Sequence, residues 1–542
     1  MYDNGTILIG KSGEEKVCIY PKMANRHGLI AGATGTGKTI TLKVLAESFS
    51  ECGVPVFFAD VKGDLAAVCN AGEADDNVQR KIEELGLKEE GFSFRSFPAV
   101  FWDVYAEYGL PLRTTISEMG PLLLGRIMHL NDTQTDVLKI VFKIADDENL
   151  LLIDTKDLRA MLQYVAEHAA EYSMQYGNMA KQSIAAITRS LVSLEAEGGE
   201  QFFGEPALDI KDWICTDCNG KGMIQVLDCR RLIQNPTMYA TFLLWMLSEL
   251  FETLPEAGDL EKPRMIFFFD EAHLLFDHAP NALKTKIEQV VKLIRSKGVG
   301  IYFVTQKPSD IPDGVLSQLG NKIQHALRAY TPAEQKAVKA AAQSYRANPD
   351  FDTYDTMLEL GIGEALVSVL DEQGIPTVVK RCNMLPPQSR IGALDDGQRQ
   401  REIQNSPLYV RYAEAVDRDS AYEFLTRQAK QEAEDKQKAA DEAAAIKERQ
   451  KEEAAAEKQR QKEEAAAEKQ RQKEEAAAQR AAAAKNKSAK KVVNNAARSA
   501  AGTVGRELGN QLGKSIGGSF GKKLGGNVGA SLGRGLLSTF LK

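Results

Sequence analysis

Several features that would assign this chain to a large class are absent. No stretch of about 18 uninterrupted apolar residues occurs, so a membrane-spanning helix is not expected. The opening, "MYDNGTILIG", has no basic region and no long apolar run, so no secretory leader is expected. Cysteine is scarce and odd in number, seven in 542 residues, which excludes a fully paired disulfide framework and fits a reducing, cytoplasmic setting. Cys215 and Cys218 form a C-x-x-C with Cys229 eleven residues later, but no second pair or spaced histidine follows. Ordinary thiols are the reading, and a three-thiol zinc site the weaker alternative. A dominant charge sign is also missing, since the net charge is only −7. That sum hides a division: residues 485–542 hold eleven Lys or Arg against one acid, Glu507, for +10, while residues 1–484 carry −17. An acidic body with a basic tail brings anionic partners, nucleic acid or lipid, to the tail first.

What is present begins with "GATGTGKT". Gly32, Gly37, Lys38 and Thr39 satisfy G-x-x-x-x-G-K-[ST], and Ala33, Thr34, Gly35 and Thr36 complete the loop before Ile40. The preceding "HGLIAG" suits a short buried strand. The following Leu42, Leu45, Ala46 and Phe49 recur at the spacing of one helix face. Strand, glycine loop and helix together let backbone N–H groups fold around phosphate oxygens, with the helix N-terminus adding a favourable dipole. Lys38 then reaches the outer phosphates, and the Thr39 hydroxyl is placed to ligate Mg²⁺. The cofactors expected are ATP and Mg²⁺.

A phosphate loop alone does not hydrolyse anything. "MIFFFDEAHLLF" supplies a continuous apolar run, Ile266 to Phe269, ending in Asp270 and Glu271, where open α/β sheets place their ligands. Asp270 is assigned to the metal, and Glu271 to orienting and deprotonating the attacking water. His273 is a coupling candidate, with simple packing as the alternative. The strand "GIYFV" ends at Thr305 and Gln306, and Gln306 is a candidate contact for the terminal phosphate or the water. "VPVFFADVKGDL" is a further strand, with Asp60, Lys62 and Asp64 on the loop after it. Arg328, after "KIQHAL", is the candidate for stabilising transition-state charge on a neighbouring subunit's nucleotide, and Arg295 is the weaker alternative.

The fold class expected is α/β, a RecA-like P-loop core with a mostly parallel sheet, a helical insertion and a long helical C-terminal extension. Residues 1–102 are read as an N-terminal hairpin and the first part of the core, 103–205 as the helical insertion, and 206–400 as the second part. Residues 401–484 are a helical Ala/Glu/Lys/Gln-rich spacer, and 485–542 a basic glycine-repeat tail. "QKEEAAAEKQR" repeats at 450–460 and 461–471, an 11-residue period that keeps Ala454, Ala465 and Ala476 aligned on a nearly straight helix. A stripe of alanine favours a solvated single helix over a coiled coil, and about 50 such residues span on the order of 75 Å. From Gly505 to Gly533 every fourth residue is glycine, each preceded by an apolar residue. As a helix this pairs a small-residue groove with an apolar ridge, and Lys514, Lys522, Lys523 and Arg534 favour an anionic surface. Residues 502–542 are therefore the candidate contact for a membrane or a partner.

Together "HGLIAGATGTGKT", "VPVFFADVKGDL", "LNDTQ", "FFFDEAHLLF", "VTQKPSDIP" and "GEALVSVLDEQGIP" resemble the HerA/FtsK superfamily of P-loop motor ATPases, and within it the bacterial HerA-like helicase-domain family. The resemblance covers roughly residues 5–425. It implies a RecA-like core, assembly into a homo-oligomer (a hexameric ring), ATP sites between subunits with an arginine from the neighbour, and action on DNA. One departure stands out: HerA proper carries an N-terminal barrel, whereas 31 residues precede Gly32 here, enough for a hairpin such as "TILIG…KVCIY". Docking to a nuclease through such a barrel is not carried over. The leading expectation is an ATPase motor that translocates or remodels DNA. The alternative is a membrane-associated, nucleotide-controlled scaffold anchored by the tail.

Overall fold

A computed structural model describes residues 1–177, 179–277 and 281–485. The apolar runs without helical period become strands: β1 (Tyr2–Asp3), β2 (Thr6–Ser12), β3 (Glu15–Ile19), β4 (Gly28–Ala31), β5 (Val56–Asp60), β6 (Ala99–Asp103), β7 (Leu110–Pro111), β8 (Ile224–Asp228), β9 (Met265–Phe269), β10 (Val299–Thr305), β11 (Asn321–His325), β12 (Glu364–Ser368) and β13 (Lys380–Met384). They form one sheet in the order β1-β2-β13-β12-β11-β4-β10-β9-β5-β8-β6-β7, with β3 on β2. From β11 through β7 every pairing is parallel, and from β12 outward every pairing is antiparallel. β4, β5, β8, β9 and β10 are buried at every residue, as strands covered on both faces must be. The expected hairpin is β2–β3, with Ile7 opposite Ile19.

The strand carrying the acids is not the neighbour of the strand carrying the phosphate loop, because β10 lies between β4 and β9. With β5 beyond β9 and β11 on the other side of β4, this is the five-strand order of a RecA-like core, extended by β8 and β6 on one flank and by the antiparallel strands on the other.

Between β7 and β8 the chain is mainly helical: Ile116–Ile127, Asp132–Asp147, Thr155–Glu167, Ala169–Tyr176 and Lys181–Leu194. "LNDTQ" has a local cause. The Asn131 side chain accepts from the Gln134 amide at 2.9 Å and Gln134 Oε1 accepts from the Asn131 amide at 3.0 Å, a reciprocal cap that starts the second of these helices. Helix Pro236–Thr253 is buried at every residue from Met238 to Leu247 and packs between Ile116–Ile127 and Asn281–Ile294. An all-round apolar helix belongs in such a position.

The chain divides into two compact units, Met1–Ala433 and a second beginning at Glu434. Helix Ala421–Lys485 starts in the first, where Ala421 and Leu425 are buried. Residues 434–480 are all exposed, including Ala454, Ala465 and Ala476, as expected of a solvated helix. No helix among the described residues is long and apolar enough to cross a membrane. The glycine-repeat tail and the contact assigned to residues 502–542 lie outside the described residues.

Candidate active site

Three parallel registers bring the site together. Thr305 on β10 is opposite Ala31 on β4, which puts Gln306 level with Gly32. Phe303 is opposite Phe269 on β9, which puts Val304 and Thr305 level with Asp270 and Glu271. Gln324 on β11 is also opposite Ala31, so His325 lies beside Gly32, and Arg328 follows three residues on. The phosphate loop, Gln306, the acid pair and Arg328 therefore all emerge at the C-terminal edge of the parallel strands, where such sheets bind ligands. Gln306 and Arg328 are exposed, and the Arg328 guanidinium donates to the Leu358 carbonyl at 3.1 Å. Arg295 leads into the start of β10, at the opposite edge of the sheet, and is not part of this site.

The loop from Gly32 to Thr39 is braced from outside. Gly37, at φ 113°, caps helix Lys38–Glu51 in the left-handed region that favours glycine. A Cβ on Gly32 would fall 2.6 Å from the His325 Cβ, so only glycine fits there. His325 is fully buried. Its Nδ1 hydrogen bonds the Glu364 carbonyl and its Nε2 the Thr41 hydroxyl, each at 2.9 Å. A carbonyl only accepts, so Nδ1 carries the proton and Nε2 accepts from Thr41. Burial, with Lys38 and Lys81 nearby, pushes His325 down to about 4, so the ring is neutral. The Gly363 amide donates to the Thr36 carbonyl at 3.1 Å, and Lys81 Nζ caps the Gly363 carbonyl at 2.9 Å. Gly363 and Glu364, at the start of "GEALVSV", thus brace the phosphate loop from outside.

Lys38 is folded over its own loop, donating to the carbonyls of Gly32 at 2.7 Å and Ala33 at 3.0 Å. Burial pushes its ammonium below the usual value. Glu271 and Asp270 pull it back up, and Lys62 pushes it further down. Those influences put two cations and two carboxylates within electrostatic reach of one another. Thr39, second residue of the helix, is half-buried.

Asp270 is 5% exposed and accepts from the Glu271 amide through Oδ1 at 2.9 Å; burial and then the Glu271 charge raise its carboxyl to about 6. The Tyr239 hydroxyl, from helix Pro236–Thr253, donates to the Asp270 carbonyl at 3.1 Å and fixes the turn. Glu271 sits at φ 47°, a left-handed conformation that costs a non-glycine residue roughly 1–2 kcal/mol. Its Oε1 is 3.3 Å from Lys62 Nζ, and its Oε2 is buried with no hydrogen-bond partner among the described residues. His273 Nδ1 stands 3.5 Å from that oxygen. A buried carboxylate oxygen without a donor fits a group that receives a proton or orients a water, and the strained backbone aims it there. Lys62, Tyr239 and His325 carry no assigned role in the sequence reading, although Lys62 stands in a quoted motif. Nothing in sequence spacing joins them to partners 31 to 284 positions away.

Cys229 follows β8 at its C-terminal end, whereas Cys215 and Cys218 precede the strand. Five residues of strand separate them by roughly 16 Å, too far for one metal ion.

A glycine phosphate loop on β4, an acid pair on β9 and a polar strand end between them, on a RecA-like sheet, define a P-loop ATPase. Within that class the chain belongs to the HerA-like helicase C-terminal family, whose profile matches residues 6–524. The DNA double-strand break repair helicase HerA of Sulfolobus acidocaldarius is 23% identical over 383 residues, 69% of this chain and 68% of that protein. Its namesake from Sulfurisphaera tokodaii is 23% identical over 392 residues, 70% of each chain. The solved structure of VirB4 of Thermoanaerobacter pseudethanolicus superposes with a TM-score of 0.45 at 15% identity, over 71% of this chain and 97% of that one.

Proposed function

We propose that the protein is an oligomeric, Mg²⁺-dependent ATP hydrolase that uses turnover to translocate or remodel DNA. The observation that carries the hydrolytic half is the buried, unpartnered Glu271 oxygen beside Asp270, separated from the phosphate loop by the single strand β10. Residues Gly32 to Ile40 cradle the phosphates, and Lys38 exchanges its loop carbonyls for phosphate oxygens. Bound Mg²⁺ would neutralise phosphate charge, held by the Thr39 hydroxyl and, through water, by Asp270. Glu271 accepts the proton of the attacking water, and Gln306 holds that water or the terminal phosphate in line. Arg328, exposed beyond β11, serves the nucleotide of an adjacent subunit.

The DNA half rests on family membership and on relatives named as DNA repair helicases. The test is steady-state ATP hydrolysis by full-length protein, with and without double- and single-stranded DNA at two salt concentrations, with Glu271→Gln as the blank. Stimulation that weakens as salt rises is expected, because phosphate contacts release counterions. Turnover indifferent to DNA would retain the ATPase and remove DNA as the track.

A further inference from the structure

Two lysines reach the acid pair, and they are engaged differently. Lys38 donates to the carbonyls of its own loop, whereas Lys62 pairs with Glu271 Oε1 at 3.3 Å, its one ion-pair partner among the described residues. Lys62 sits on the turn after β5. There the Asp60 carboxylate accepts from the Gly63 amide at 2.7 Å and the Leu65 amide at 3.2 Å, folding the turn back on itself and fixing where Lys62 starts. The Lys62 side chain is 46% exposed and that of Glu271 is 12% exposed, so the amine has room to leave and the carboxylate does not. Burial works to lower the Lys62 ammonium, but Asp270 and Glu271, with Asp64, hold it above its ordinary value. It is a firm cation beside the acid pair.

We propose that Lys62 reads the terminal phosphate of the bound nucleotide and releases Glu271 as it does so. The inference rests on the hydrolase reading above and extends it. A half-exposed lysine–carboxylate pair is worth no more than about 1 kcal/mol, so the oxygens of a terminal phosphate, which together carry up to about two negative charges, displace the carboxylate as they enter beside Lys38. A diphosphate ends one group short and leaves the pair intact. While Lys62 holds it, the Glu271 carboxylate is tied through Oε1 to the turn after β5. Once released, the carboxylate is free to turn to the attacking water and takes its proton as the water oxygen bonds to the terminal phosphorus and the bond to the diphosphate oxygen breaks. Release of the base is thereby tied to the presence of the third phosphate.

The experiment is calorimetric binding, with Mg²⁺, of a non-hydrolysable ATP analogue and of ADP to the full chain. The proteins compared are wild type, Lys62→Met, Lys62→Arg, Glu271→Gln and the Lys62→Met/Glu271→Gln double variant. Lys62→Met is expected to weaken the analogue about tenfold, the size of one charge-assisted hydrogen bond, and ADP by less than about twofold. Lys62→Arg should recover most of that loss. Glu271→Gln frees Lys62, so it should tighten the analogue more in the wild-type background than in Lys62→Met. Equal losses for both nucleotides, no loss for either, or the same Glu271→Gln gain in both backgrounds would each overturn the role of Lys62 alone. A wild type that binds neither nucleotide would overturn the hydrolase reading and this one with it.

Discussion

His325→Gln tests whether the wall behind the phosphate loop holds a neutral imidazole. In an unfolded chain a histidine titrates near 6.5, whereas burial lowers His325 to about 4 in the fold. Between those values the unfolded state binds more protons, so stability is full above pH 6.5 and declines as pH falls toward 4. Over the whole window the loss is about 3 kcal/mol, and by pH 4.5 it reaches about 2.5 kcal/mol. Other groups titrate across the same range. His27, also lowered to about 4, acts in the same direction. Asp60, raised to about 7 by burial and then by Asp64, acts in the opposite direction, since its folded form binds more protons. All of them persist in the variant, so the difference between wild type and variant isolates His325. Glutamine can donate to the Glu364 carbonyl and accept from Thr41, which keeps the loss at neutral pH small. The assay is urea unfolding followed by the fluorescence of the buried Trp102, Trp213 and Trp245 at pH 7.5, 6.0 and 4.5. The stability advantage of wild type over His325→Gln should shrink, or reverse, by about 2.5 kcal/mol between pH 7.5 and 4.5. A change below about 1 kcal/mol would mean that the ring titrates normally, and that the hydrogen bonds to Thr41 and Glu364 do not lock its tautomer.

Lys38→Ala should lower ATP turnover at least about a hundredfold, read as steady-state phosphate release, and unchanged turnover would sink the phosphate-loop assignment. Mixing Lys38→Ala with Arg328→Ala subunits that still co-assemble should recover activity through mixed interfaces; an inert mixture counts against a site shared between subunits. Glu271→Gly should abolish turnover without lowering the thermal midpoint, because glycine relieves the φ 47° strain, and a drop of several degrees would contradict that strain. Asn131→Ala removes the cap of helix Asp132–Asp147 and should cost about 1 kcal/mol in urea unfolding with the nucleotide affinity unchanged.

Much of this site was legible because its two halves are local. Gly32 to Thr39 carry their geometry in a loop of eight residues, and β9 declares itself by five apolar residues ending in Asp270 and Glu271. The relation between the halves was not legible. That β10 separates them follows from strand order, which depends on which buried faces pack together across more than 200 residues of chain. The pairing of Lys62 with Glu271, and of His325 with Thr41, are contacts across neighbouring strands and the helix above them. Spacing in one sequence holds no trace of such contacts. The same holds for Cys229, which a count of residues puts near Cys218 and the direction of β8 puts at the other end of the sheet.

The sheet also explains why the chemistry is assigned to one aspartate among four. Asp60 is opposite Asp228 on the neighbouring strand, and Asp103 and Asp270 come level with them on the strands beyond, so β6, β8 and β5 each end in an aspartate and β9 is followed by one at the same height. Asp103 accepts from the amides of Tyr105, Glu107 and Tyr108, each at 2.9 Å, and Asp60 from those of Gly63 and Leu65. Asp228 is held by Arg230 at 2.7 Å and by the buried Arg399 at 3.2 Å. These three carboxylates close turns or anchor the segment around helix Asp396–Gln404, and their oxygens are already engaged. Asp270 is followed instead by a residue in a left-handed conformation whose buried oxygen has no donor. A turn built to satisfy its own carboxylates would not keep that oxygen bare, since a buried acceptor without a partner costs about 1–3 kcal/mol. The strain at Glu271 and its unmet hydrogen bond make this the one strand end in the row arranged for something that arrives from outside the chain.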